Sequence, residues 1–232
     1  MLGTEKLLLR FSEIPVTPFI DPGLFAWVEL LQAHWEQINE ELESLLPFYA
    51  ELPNLPDLSP EQDSLARDGG WKTYFFSAYG TVSDHNCRRC PQTAAILGQI
   101  PGLTTAFFSI LAPGKHVPAH RGRFRGLIRC HLGLQVPEPA DQCGIRVGGE
   151  VRHWAPGEVM LFDDGFEHSA WNDTQGIRAV LLLDVERPAR GPAARLNRLV
   201  LSRIARSQTL KASAERHWAW ESRFHTSVDA PS

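Results

Sequence analysis

Apolar and polar positions along the chain follow two different periods. Between Asp21 and Pro47, Phe25, Val28, Leu31, Trp35, Ile38, Leu42 and Leu45 recur at steps of three and four, which predicts one amphipathic helix with an acidic outer face. Asp21 supplies its cap and Pro22 its first position. From Trp71 onward the runs are shorter and alternate. Trp71–Tyr79, Thr104–Leu111, Arg125–Val136, Ile145–Val147, Val151–Trp154, Val159–Phe162, His168–Trp171 and Ile177–Val185 read as strands separated by Gly and Pro turns. Gly148-Gly149 carries the signature of a two-residue hairpin.

Short strands at this spacing predict a mainly β core, a double-sheet jelly roll or cupin-like barrel rather than a parallel α/β sheet. The segment up to Pro18 is expected to be extended, Glu51–Pro60 a proline-rich loop, and Gly69-Gly70 the end of the helical part. Asp84–Pro91 reads as a polar turn opening a short helix over Thr93–Ile100. After Arg187-Pro188 the chain leaves the sheet; Leu196, Leu199, Val200 and Ile204 mark a second amphipathic helix, with Trp218-Ala219-Trp220 near the end. The expected division is an acidic helical extension at 1–70, a β core at 71–188 and a basic helical tail at 189–232.

With 43% hydrophobic and 22% charged residues in 232, the chain has the composition of a globular protein with a sizeable core. No apolar run approaches the ~18 residues of a membrane span, and the leucines after Lys6 are too short for a signal segment. Four cysteines are few for a disulfide scaffold, which points to a reducing cytoplasm. Cys87 and Cys90 form a CxxC pair without a second one, so the expectation is a reversibly oxidisable loop feature rather than zinc. The net charge of −4 conceals an acidic first third and a basic tail. Two solvated helical faces explain this, as does a basic amphipathic tail that meets a membrane surface or an acidic partner. No nucleic-acid module is recognisable.

His120 lies in PGKHVPAHRG and His168 just beyond VMLF and Asp163-Asp164. Two imidazoles from different strands of a barrel can meet at its mouth and bind a first-row metal. Strand parity sharpens this. Leu127, Arg129, His131 and Gly133 share one face; Ile128, Cys130, Leu132 and Leu134 share the other, which is apolar throughout and is assigned to the space between the sheets. Arg129 and His131 then face a polar cavity. Arg178 shares its face with Val180 and Leu182 in a strand that otherwise reads as core, so its guanidinium needs an anion: a protein carboxylate such as Asp163 or Asp164, or a ligand carboxylate. Ser109 adds a hydroxyl on the polar-capable face of its strand.

The motifs FFSILAPGKHVPAHRG, RCHLGL and GEVMLFDDGFEH, with an arginine ten residues after the last histidine, resemble the aspartyl/asparaginyl β-hydroxylase family of iron(II)- and 2-oxoglutarate-dependent oxygenases, which includes bacterial lipid A acyl-chain 2-hydroxylases. The resemblance spans about Trp71 to Pro188. It implies a double-stranded β-helix core with flanking N- and C-terminal helices, and His120 and His168 as iron ligands. Arg129 and His131 would hold the 2-oxoglutarate carboxylate beside the metal, Ser109 and Arg178 the distal one, and Asp164 would order a water or a ligand histidine. The facial-triad carboxylate is replaced by Gly122, as in the aspartyl hydroxylase branch, a vacancy that water or, for halogenation, halide fills. The implied reaction consumes O2 and hydroxylates an unactivated C–H, first the β-carbon of an Asp or Asn residue in a peptide, alternatively a lipid acyl chain. A non-catalytic cupin-like module that binds a small acid is the competing reading.

Overall fold

The computed structural model describes residues 2–59 and 69–228. Two antiparallel sheets face each other. The larger has the order β1-β9-β6-β11-β4-β2-β3 and the smaller β5-β10-β7-β8. The strands are β1 Phe19–Ile20, β2 Trp71–Ala78, β3 Thr81–Val82, β4 Leu103–Leu111, β5 His116–His120, β6 Leu127–Gln135, β7 Cys143–Val147, β8 Glu150–His153, β9 Val159–Phe162, β10 His168–Asn172 and β11 Arg178–Glu186. The helices are α1 Leu2–Arg10, α2 Trp27–Ala33, α3 Trp35–Glu43, α4 Leu55–Leu58, α5 Asp84–Arg89, α6 Pro91–Leu97, α7 Gly191–Ala205 and α8 Gln208–Val228. This is the cupin-like double-stranded β-helix with flanking helices.

Alternation sets the layers, but not as the sequence suggested. Ile128, Cys130, Leu132 and Leu134 pack with Leu31, Ile38 and Leu42 of α2 and α3, on the outer, helix-covered face of the large sheet. The opposite face of β6, carrying Arg129 and His131, lies between the sheets. A sheet covered on both sides can keep its uninterrupted apolar face for the helices and place its polar exceptions inside the sandwich. The inter-sheet core is a smaller cluster around Phe107, Ile145, Trp154, Phe162, Val180 and Leu182.

Local departures have local causes. Residues 2–10 are helical, not extended, because Leu8 is drawn into a cluster with Ala193 and Leu201 of α7. The long helix expected from Asp21 to Pro47 is a short 3-10 turn followed by α2 and α3, broken at His34, whose ring bonds Leu30 O at 2.9 Å. Asp21 does cap the start, accepting from Gly23 N at 3.0 Å. In the proline-rich loop, Asn54 and Asp57 form a capping box that closes the single turn α4. The segment ahead of Gly69 lies outside the described residues. Cys87 and Cys90 belong to α5 and its C-terminal cap rather than a loop. Burial raises the pKa of both thiols, which holds them protonated and works against reversible oxidation. β5 was not foreseen as a strand. Among the described residues no helix is long and apolar enough to cross a membrane.

On α8, His217 is buried against Phe75 and Trp220, and neither ring nitrogen has a hydrogen-bond partner among the described residues. Burial lowers its pKa; Glu221 opposes this and His225 adds to it. Below the ordinary histidine pKa the unfolded chain gains a proton that the folded one refuses, so stability falls as pH drops. His217→Phe is expected to fold normally at pH 7.5 and to flatten the fall in urea midpoint between pH 7.5 and 5.5, read by circular dichroism.

Candidate active site

The antiparallel register of β5 and β10 sets His168 opposite His120, and their ring centroids are 4.1 Å apart. Each Nδ1 faces a carbonyl, Pro118 O at 2.8 Å for His120 and Phe166 O at 3.0 Å for His168. A carbonyl only accepts, so each Nδ1 carries the proton and each Nε2 keeps a lone pair. Burial lowers the pKa of both, taking His168 to about 3 with His120 and Arg129 adding to it. Two neutral, pre-oriented imidazoles of this kind can ligate a first-row metal.

From this pair the site runs inward along a line of rings. Phe162 lies 5.7 Å from the His168 ring and 5.1 Å from the His131 ring, and His131 stacks 6.0 Å from Trp154. The guanidinium of Arg178 sits 4.3 Å over the Trp154 indole, at the far end. Trp154 reaches this place because β6 has a glycine opposite it. A Cβ on Gly133 would stand 2.1 Å from Ala155 O, so only glycine lets the segment after β8 pass this close.

Arg178 is 2% exposed, and no carboxylate pairs with it among the described residues. Its contacts among the described residues are Ser109 O, at 3.4 Å from Nη1, the Cys143 thiol and the indole, while Nε has no acceptor among them. Burial pulls its pKa down to about 10. His131 is in the same position. Trp154 Nε1 donates to its Nδ1 at 3.3 Å, which puts the His131 proton on Nε2, and that nitrogen is buried without a partner among the described residues. Burial, then Arg178, Arg129 and His168, hold His131 neutral. Ser109 Oγ accepts from Trp71 Nε1 at 3.0 Å and keeps its own proton to give. Among the described residues, the inter-sheet space therefore leaves Arg178 Nε and His131 Nε2 without an acceptor and Arg178 without a carboxylate. A buried donor left unmet costs about 1–3 kcal/mol and an uncompensated buried charge about 3–5 kcal/mol, so an entering anion is strongly favoured.

Arg129 has carboxylate partners within the protein. Its Nε and Nη2 donate to Asp184 at 2.8 and 3.0 Å, and Nη2 lies 3.4 Å from Asp164 Oδ2. Burial works against its charge, but the two acids outweigh it and raise its pKa. The register that puts Asp184 opposite Arg129 in β11 explains the pairing, and Asp184 gave no signal inside an apolar run. Asp164 is 6% exposed, with its pKa pushed up to about 6 by burial against the pull of Arg129, and its Oδ1 lacks a partner among the described residues. Asp163 serves elsewhere: fully buried, it lies 2.6 Å from Arg187 Nη2 and accepts from Arg125 Nη2 at 2.6 Å and from Gly165 N at 2.9 Å.

Gly122 donates through its N–H to Asp164 O at 2.7 Å, and a Cβ there would lie 2.3 to 2.4 Å from the Asp164 carboxyl atoms. A side chain at 122 and Asp164 in its present place exclude one another. Trp154, Cys143, Asp184 and the Asp163 network escaped sequence reasoning; Trp154 followed by the turn Ala155-Pro156-Gly157 was the available cue.

Comparison with known proteins places these features among relatives. The family model described as Aspartyl/Asparaginyl beta-hydroxylase matches residues 32–188. The ornithine lipid ester-linked acyl 2-hydroxylase of Rhizobium tropici is 39% identical over 226 residues, 97% of this chain and 80% of that protein. Human aspartyl/asparaginyl beta-hydroxylase is 29% identical over 199 residues, but the chain spans only 25% of its length. Mouse aspartate beta-hydroxylase domain-containing protein 2 is 33% identical over 186 residues, 76% of this chain and 52% of that protein. Among solved structures, a Pseudomonas putida prolyl-4-hydroxylase aligns with a TM-score of 0.48 and 17% identity, over 80% of this chain and 97% of that one.

Replacing Asp163 by Asn leaves Arg187 and Arg125 facing a neutral group. The variant should lose about 3–5 kcal/mol of stability, measured by urea unfolding.

Proposed function

The chain belongs to the aspartyl/asparaginyl β-hydroxylase family, and from that membership and the site geometry we propose that it is an iron(II)- and 2-oxoglutarate-dependent hydroxylase. The observation that carries the reading is the buried guanidinium of Arg178, unpaired by any described carboxylate, in line with two neutral imidazoles at the opposite end of one inter-sheet space. A diacid that reaches from a metal at the imidazoles to the guanidinium meets both requirements at once.

His120 and His168 would hold iron through Nε2. Iron with 2-oxoglutarate and O2 supplies the oxidising power for an unactivated C–H, and 2-oxoglutarate leaves as succinate and CO2. Arg178 would bind the distal carboxylate together with the Ser109 hydroxyl, and Trp154 would steer both Arg178 and His131 by its ring and its N–H. The Nε2–H of His131 would donate to the carboxylate nearer the metal, and Arg129 has its remaining amino group to offer there. Asp164 would accept from a water at the place that Gly122 leaves without a ligand. Phe162 and the neighbouring apolar side chains keep bulk water out.

For the substrate, a lipid acyl chain is the better-supported class. The likeness to the ornithine lipid ester-linked acyl 2-hydroxylase runs over 97% of this chain and 80% of that protein, whereas human aspartyl/asparaginyl beta-hydroxylase is matched over a quarter of its length. The β-carbon of an Asp or Asn residue is the second reading, favoured by the family model.

Purified protein with iron(II), ascorbate, 2-oxoglutarate and ornithine lipid or an Asp-containing peptide should release succinate alongside a +16 mass shift in one of the two. His120→Ala and His168→Ala should abolish both signals. Arg178→Met should raise KM for 2-oxoglutarate about tenfold to a hundredfold, the loss of a charge-assisted pair. Tight 2-oxoglutarate binding without succinate from either substrate would leave a small-acid binding module instead.

A further inference from the structure

The helices from the two ends of the chain carry a surface that this chemistry does not use. α1 and α7 pack together through Leu8, Ala193 and Leu201. On their outer sides Leu7 is 40% exposed, Phe11 41% and Leu199 49%. Lys6 and Arg10 beside the first two, and Arg195, Arg198, Arg203 and Arg206 around the third, are exposed as well. α7 contains no acidic residue; Arg198 lies 3.8 Å from Glu186 of β11, to which Asn197 Nδ2 also donates at 3.5 Å.

Apolar side chains held in water among cations have one favourable destination in common. At the boundary of an anionic bilayer the leucines and Phe11 enter the acyl region while the guanidinium groups stay at the level of the phosphates. A nucleic acid would use the cations and leave the apolar groups in water.

The same helices hold the segment that leaves His120. Phe124 packs into the cluster of Leu8 and Leu201, and Asn197 Nδ2 donates to Gly126 O at 2.9 Å. A Cβ on Gly126 would meet Asn197 Oδ1 at 2.1 Å, so the backbone at Gly126, six residues after His120, lies flush on α7.

We propose that the α1–α7 face docks on an anionic lipid surface and brings the His120 end of the site to it. The proposal deepens the lipid-acyl reading and rests on it for its purpose, while its evidence is the surface itself.

The full chain, without iron or 2-oxoglutarate, is sedimented with vesicles of phosphatidylcholine alone or of phosphatidylcholine mixed with phosphatidylglycerol. Binding is expected only to the mixed vesicles. It should weaken about tenfold or more in the triple variant Arg195→Glu, Arg198→Glu, Arg203→Glu, and clearly in Leu7→Ser with Leu199→Ser, which keeps the charge. All these residues are exposed, so the variants should melt like the parent by circular dichroism. Equal binding to both vesicle types, or none, overturns the proposal. So does parental binding by the serine variant together with competition by single-stranded DNA, which would mark a general polyanion surface. Because no metal is present, failure of succinate release leaves a positive vesicle result standing, and hydroxylation of detergent-dispersed lipid without vesicle binding removes only the docking.

Discussion

Asp163 is the carboxylate that the site's framework hangs from. It lies at the end of β9 and gathers Arg187 from beyond β11, Arg125 from the segment before β6, and the backbone N–H of Gly165. Its own N–H donates to Pro18 O ahead of β1. Three stretches far apart in sequence, at Pro18, Arg125 and Arg187, are thus fixed to one residue. Their paired charges repay a desolvation cost that neither could bear alone. The consequence is positional: Asp164 follows Asp163 directly, so its carboxyl is held over Gly122, two residues from His120, and the turn through Gly165 and Phe166 delivers His168 opposite. Two imidazoles meet because a neighbouring acid has already been neutralised.

Beyond that anchor, charges are handled in opposite ways at the two ends of the inter-sheet space. Near the imidazoles Arg129 is locked to Asp184 and Asp164, and each partner lowers the cost of burying the others. At the far end Arg178 has an indole face, a carbonyl and a thiol, but no described carboxylate. Aromatic faces stabilise a buried cation only in part. A guanidinium kept in that condition raises the free energy of the empty protein and lowers it again when a carboxylate arrives, so part of the stability lost in folding reappears as affinity.

Much of this was legible from residue order. The parity of Arg129, His131 and Arg178 and the longer strands follow from period-two alternation, and the Gly148-Gly149 hairpin from its turn residues, all of which are local. What was not legible depends on pairing across sequence distance. Asp184 sits in LLLDVE, where nothing marks it as the partner of Arg129 until β11 and β6 are in register. Which apolar face meets the helices and which meets the second sheet was misread because both faces of β6 are mostly buried, and hydrophobicity then ceases to distinguish them. The broken helix at His34 and the helical start at Leu2 were decided by tertiary contacts that outweigh propensity.

The glycine at 122 leads to a last step on the proposed reading. An acid at that position would complete a facial triad, and its absence alone leaves room for either water or halide. Space does not decide between them, but hydrogen bonding does. Asp164 Oδ1 is a buried acceptor with no donor among the described residues, and Arg129, 3.4 Å from the other carboxyl oxygen, favours its charged form against the pull of burial. Water can donate to it. A halide cannot, and would stand as a second negative charge beside a carboxylate already close to Asp163 and Asp184. On that reading, the residue that makes a side chain at 122 sterically impossible would also select against the anion that a vacancy would otherwise admit, which would favour hydroxyl over halogen as the group transferred.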